Sequence, residues 1–177
     1  MINNSSLKEF SDLIADDRQS VPAGGSTIAS TALLGTSLLE LVIKVSDLAK
    51  PQLQKELKKI KSNLENKITE DTEAFLLNQN NNFKENNDLK KLITVPWKIV
   101  NNSSQALTIA NKINTQVKEN VQADYYIARL NLKLAIKGGV EIIEANYQFF
   151  SEDSPFINAM QNKIAAKKRT LDNSGNY

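Results

Sequence analysis

The sequence predicts an all-α protein, a bundle of five or six helices around a long buried central helix. Three observations lead there. Glycine and proline are scarce, 6 and 4 in 177 residues, too few for the turns of a β-sandwich. Apolar residues recur at helical spacing through most of the chain, and no stretch alternates with the period of a strand. The apolar and charged fractions, 41% and 24%, are those of a packed globular chain rather than a disordered one. One domain over residues 1–177 is expected at this length, with a frayed tail over 171–177.

The elements follow in order. Leu7, Phe10, Leu13 and Ile14 share one helical face, with Ser5 or Ser6 available as cap. Pro22-Ala23-Gly24-Gly25 breaks the chain, and Ser26 is the expected N-cap of a helix running to Ala49. That helix is apolar nearly all round. Its stretch Ile28–Val45 is long enough to cross a membrane, but it carries several Ser and Thr, Gly35, Glu40 and Lys44, so it reads as the core helix of a bundle. Leu53, Leu57, Ile60, Leu64 and Ile68 mark a third, amphipathic helix opened by Pro51 and extended through Phe75. An Asn-rich loop is expected from Asn78 to Asn87. Leu89, Leu92, Ile93, Trp97 and Val100 mark the next helix, where Pro96 predicts a kink or short break. Val117 to Tyr147 reads as one long helix with Gly138-Gly139 inside it, a sign of close packing. A last helix covers Pro155 to Lys168.

Composition also excludes chemistry. The chain has no His and no Cys, so disulfides, a His-based zinc site and a Ser-His-Asp triad are impossible. Catalysis, if present, falls to carboxylates, Lys, Tyr, hydroxyls, amides or backbone dipoles. A net charge of +2 gives no reason to expect nucleic acid as partner. The N-terminus lacks the basic-then-apolar pattern of a signal peptide, and a cytoplasmic protein without a membrane partner is expected.

Three constellations stand out. Gly24-Gly25-Ser26 opens a buried helix, where free N–H groups can hold an anion or polar oxygen; a plain tight turn with a Ser cap is the alternative. Asp71 shares a face with Phe75 at the end of an apolar stripe, where a carboxyl can act as acid or base; a solvated helix residue is the alternative. Asn120 and Asp124 stand one turn apart at the start of an apolar helix, with Asn146 about six turns further on; capping or surface polarity would account for them too.

Taken as an ordered set, these residues resemble the cyclodeaminase/cyclohydrolase family. That family includes the cyclodeaminase half of formiminotransferase-cyclodeaminase and the stand-alone methenyltetrahydrofolate cyclohydrolases. The resemblance rests on Leu7-Lys8-Glu9-Phe10, Pro22-Ala23-Gly24-Gly25-Ser26-Thr27-Ile28-Ala29, Asp71 with Ala74 and Phe75, Val95-Pro96, and Asn120, Asp124 and Asn146. It covers about residues 7 to 150. The chain departs from the family pattern at Ala23, Lys118, Ala123 and Ile142, where the family usually has Gly, Asn, Ser and Asn.

The resemblance implies a tetrahydrofolate derivative as substrate, no metal and no further cofactor, and a homodimer. It implies cyclohydrolase or cyclodeaminase activity, with Asp71 and Asp124 as the catalytic pair. Gly24, Gly25, Ser26, Asn120 and Asn146 are then the substrate-binding residues. A non-catalytic folate-binding helical protein and a helical dimeric interaction module are the alternatives.

Overall fold

A computed structural model describes residues 5–84 and 87–173 of the chain. Among the described residues there are six α-helices and no strand: α1 (Leu7–Ala15), α2 (Gly24–Val45), α3 (Pro51–Asn80), α4 (Lys91–Ile113), α5 (Gln122–Asn146) and α6 (Pro155–Asn173). The helix α6 runs past the expected end at Lys168, and residues 174–177 of the expected tail lie outside the described residues.

Helices α2 to α5 form an antiparallel up-down bundle. Gly25 abuts Asp71 near the start of α2, whereas Glu40 near its end pairs with Lys61 further back along α3. Gly24 faces Ile142 and Gly35 faces Asn131, so α5 also runs against α2. Small residues set these distances. A side chain at Gly35 would come within 2.9 Å of Asn131 Cβ, and one at Gly139 within 2.6 Å of Val100 Cγ2. The glycine pair inside α5 thus marks the close packing that the sequence predicts. The core is continuous from Ala29, Leu39 and Ile43 on α2 to Leu64 on α3, Ile99 on α4, Leu132 and Ile136 on α5 and Ile164 on α6.

Local chemistry explains the helix ends. Ser6 caps α1 and Glu9 reaches back to the Ser6 N–H, a full capping box. Yet α1 buries none of its residues. Only Phe10 of its apolar face is packed against the core, and Leu7 is 79% exposed. The helix α2 begins three residues before the expected start, with Ala23 rather than Ser26 at the cap position. Ser26 is therefore not the N-cap; it lies within the first turn. At the other end α2 stops at Val45 rather than Ala49. Asp47 takes φ 57°, and the Leu48 N–H donates to the Ile43 carbonyl at 2.9 Å, a Schellman closure.

The proline gives a further correction. Pro96 neither breaks nor ends α4, which is one helix from Lys91 to Ile113. The segment 117–147 is likewise not one helix from its start. Glu119–Val121 is a 3-10 turn, and α5 proper begins at Gln122.

Candidate active site

One end of the bundle carries a small cavity of about 200 Å³. Its wall includes Gly24 and Gly25 of α2, Asp71 and Phe75 of α3, Leu92 of α4, and Ile142 and Asn146 of α5. A larger groove of about 790 Å³ runs along α1, but Glu9, Asp12, Asp17 and Arg18 there are exposed, and the half-buried Asp16 is paired with Arg18.

Asp71 is the centre of the cavity's chemistry. Its carboxyl lies directly over the backbone of Gly25, where an added Cβ would fall 2.0 Å from Asp71 Oδ1. Only glycine leaves room for the acid there. The Ser26 N–H donates to the carboxylate, and Ser26 Oγ lies 3.3 Å from Oδ2. Ala23 has no side-chain oxygen to cap α2, so the acid from α3 fills that role from across the interface. Asp71 keeps some exposure through the cavity mouth. Burial nevertheless outweighs the Ser26 bonds and pushes its pKa from 3.8 up to about 6. A carboxyl with that value can give and take protons near neutral pH.

Ser26 has no exposed surface. Its hydroxyl lies 3.0 Å from the Ile68 carbonyl and 3.1 Å from Thr72 Oγ1. One hydroxyl proton cannot serve both Ile68 and Asp71. Ser26 Oγ donates to the charged carboxylate, or donates to Ile68 and accepts from Asp71 once that acid is protonated. Ser26 thus orders the acid and does not line the cavity.

Asn146 ends α5, and its Nδ2 donates to the Leu92 carbonyl at 2.8 Å. Phe75 stands one turn beyond Asp71. Its ring meets Phe83 edge-on at 5.7 Å, and Phe83 stacks on Phe149 at 4.3 Å. An aromatic wall therefore backs one side of the cavity.

The structure does not bring the other expected residues here. Asn120 is exposed in the 3-10 turn before α5, and Asp124 is in the first turn of α5. The two do not share a face of one helix. Asp124 suits the positive end of the α5 dipole. The 25 residues of α5 span about 37 Å, and Asp124 and Asn146 stand at its opposite ends. Within one chain, Asp71 and Asp124 do not meet.

The four departures are local. Ala23 has φ −142°, outside the left-handed region, so it needs no glycine. Ala123 is exposed. Lys118 pairs with Asp47 at 2.5 Å, and its N–H donates to Ser46 Oγ at 3.1 Å, tying the start of α5 to the end of α2. Ala23 and Ile142 both touch the cavity, Ile142 as an apolar wall facing Gly24.

The sequence profile of the formiminotransferase-cyclodeaminase family matches residues 6–166. No curated protein sequence matches the chain. Among solved structures, a formiminotetrahydrofolate cyclodeaminase from Thermotoga maritima superposes with a TM-score of 0.87 at 18% identity, covering 98% of this chain and 93% of that one. At that identity the likeness carries the fold, and the profile carries the family. The chain belongs to the formiminotransferase-cyclodeaminase family.

Proposed function

We propose that the protein is an enzyme of folate one-carbon metabolism. It acts as a methenyltetrahydrofolate cyclohydrolase or a formiminotetrahydrofolate cyclodeaminase in the cytoplasm. The observation that carries this reading is the shielded Asp71, poised to titrate near pH 6 against Gly25 in a cavity shared with Asn146. Membership of the family supplies the substrate class.

In the hydrolytic reaction, water adds to the carbon between N5 and N10, and the resulting tetrahedral centre opens as the C–N5 bond breaks and N5 takes a proton. In the deaminating reaction, N10 adds to the formimino carbon and ammonia leaves. Each step moves a proton at a nitrogen or oxygen beside one carbon, and neither calls for a metal or redox cofactor. Asp71 is the group for that transfer. The cavity encloses only the reacting end of so long a ligand; the rest lies along the surface.

The protein works as a homodimer in this reading. Leu34 and Leu41 on α2, with Ile127, Leu130 and Leu134 on α5, are exposed on two neighbouring helices. A second copy covers such a face twice through one two-fold axis. An antiparallel pairing places the Asp124 end of one copy beside the Asp71 end of the other. In that arrangement the two expected carboxylates share one site.

Incubation with 5,10-methenyltetrahydrofolate, followed through its near-ultraviolet absorbance, tests the activity. Protein-dependent decay supports a cyclohydrolase, and ammonia release from 5-formiminotetrahydrofolate supports a cyclodeaminase. Thermal stabilisation by either folate without turnover identifies a non-catalytic binder instead.

A further inference from the structure

Pro96 sits within the second turn of α4, and the helix runs through it. Proline has no N–H, so the Leu92 carbonyl four residues earlier loses its intrahelical donor. Asn146 supplies one from another helix, with Nδ2 2.8 Å from the Leu92 oxygen. Gly139 allows this approach. A side chain there would strike Val100 and lie 3.6 Å from the Pro96 carbonyl, so α5 is pressed against the turn of α4 that follows the proline.

The consequence reaches the cavity, because both Leu92 and Asn146 line it. An amide side chain has one NH2 and one oxygen. With one of the two Nδ2 hydrogens engaged by Leu92, Oδ1 is the acceptor that the amide can offer a ligand. We infer that Pro96 is a positioning residue of the site. By withholding an N–H from Leu92, it makes that carbonyl hold the Asn146 amide with its oxygen as an acceptor, so that the cavity receives the N–H-bearing edge of a ligand. The identity of that edge, an N–H of the reduced pterin, rests on the folate reading; the orientation of the amide does not.

The test uses Pro96→Ala, Asn146→Ala and the double variant of the full chain. Hydrogen exchange of the Asn146 side-chain amide, read by NMR without ligand, reports the orientation alone. Slow exchange is expected in the wild type, and exchange at least about tenfold faster in Pro96→Ala, where the new N–H takes over the Leu92 carbonyl. The KM for 5,10-methenyltetrahydrofolate should rise about 3–10-fold in Pro96→Ala, the worth of one hydrogen bond, with kcat within about twofold. That rise should vanish in the Asn146→Ala background, because both changes act through one contact. Restoring a helical N–H should not lower the melting temperature, so a merely structural proline would show none of the kinetic effect. Unchanged exchange in a folded Pro96→Ala, or a KM effect that persists without Asn146, overturns the inference. Should Pro96→Ala not fold, Asn146→Asp carries the test. It keeps an acceptor and loses the donor to Leu92, and an unchanged KM there also overturns it. A wild type with neither binding nor turnover of folate refutes the folate reading, and exchange that is slow there but faster in Pro96→Ala then supports the positioning by Pro96 on its own.

Discussion

Replacing Asp71 by Asn separates two forces that act on the carboxyl. The N-terminal amides of α2 and the Ser26 bonds favour the charged form, and burial disfavours it. Burial wins, moving the pKa from 3.8 to about 6. The difference amounts to about 3 kcal/mol against the charged group. Between those two pH values the folded chain holds a proton that the unfolded chain has lost. Stability from this group is therefore full below about pH 4 and falls as pH rises through 6. Asn has nearly the same shape, can still accept from the Ser26 N–H, and never ionises. Relative to wild type, Asp71→Asn should gain about 3 kcal/mol of stability between pH 4 and pH 7. For a chain of this size that is about 6–12 °C in melting temperature. Urea or thermal unfolding of both proteins across that range measures it. The same substitution should cut turnover about 10²–10⁴-fold, because it removes the proton carrier. A stability difference that does not change with pH, or that moves the other way, would mean that the helix terminus dominates and the carboxyl stays charged. The proton-transfer role would then lose its physical basis.

Other substitutions probe the remaining contacts. Gly25→Ala puts a methyl group where Asp71 Oδ1 now lies; it should lower stability by about 1–3 kcal/mol and turnover by as much as Asp71→Asn does, and wild-type behaviour in both assays would show that the close approach is not needed. Ser26→Ala removes the buried hydroxyl that meets Thr72 Oγ1 and the Ile68 carbonyl and should cost about 1–3 kcal/mol in chemical denaturation; a cost near zero would contradict the buried network. Leu134→Glu, alone or with Leu34→Glu, should turn a dimer into a monomer in sedimentation while the helical circular dichroism persists, and a wild type that is already monomeric at micromolar concentration would remove the proposed pairing. Asp124→Asn should reduce turnover only in the dimer, and unchanged turnover would leave Asp71 as the one catalytic carboxylate.

Much of this was legible in the sequence because helices announce themselves through spacing. The stripe Leu57, Ile60, Leu64 and Ile68 is buried as its period predicts, and Gly138-Gly139 falls where α5 meets α2 and α4. Asp71 could be picked out from its place at the end of that stripe. What spacing does not reveal is a partner from another helix. Ser26 looked like a cap because sequence shows only local donors and acceptors, whereas the cap of α2 comes from Asp71, 45 residues on. Pro96 reads as a kink or short break for the same reason, because the donor that keeps its helix continuous is Asn146. A proline inside an apolar helical pattern leaves one carbonyl without a donor, but among the 21 Asn of the chain spacing does not single out Asn146 as the one that supplies it. Asn120 and Asp124 were grouped by helical spacing, but the 3-10 turn at Glu119–Val121 removes Asn120 from the helix. Nothing in the spacing shows that Asp124 lies a full helix length from Asp71.

The central claim is that Asp71 carries out proton transfer on a folate. It is tested most directly by the pH dependence of 5,10-methenyltetrahydrofolate decay with wild type and Asp71→Asn side by side. The account predicts protein-dependent decay with an inflection near pH 6 in the wild type, rising with pH if Asp71 acts as base and falling if it acts as acid. It also predicts that the inflection and at least 99% of the rate are lost in a folded Asp71→Asn. Decay in Asp71→Asn equal to that of wild type, with the same pH profile, would contradict it.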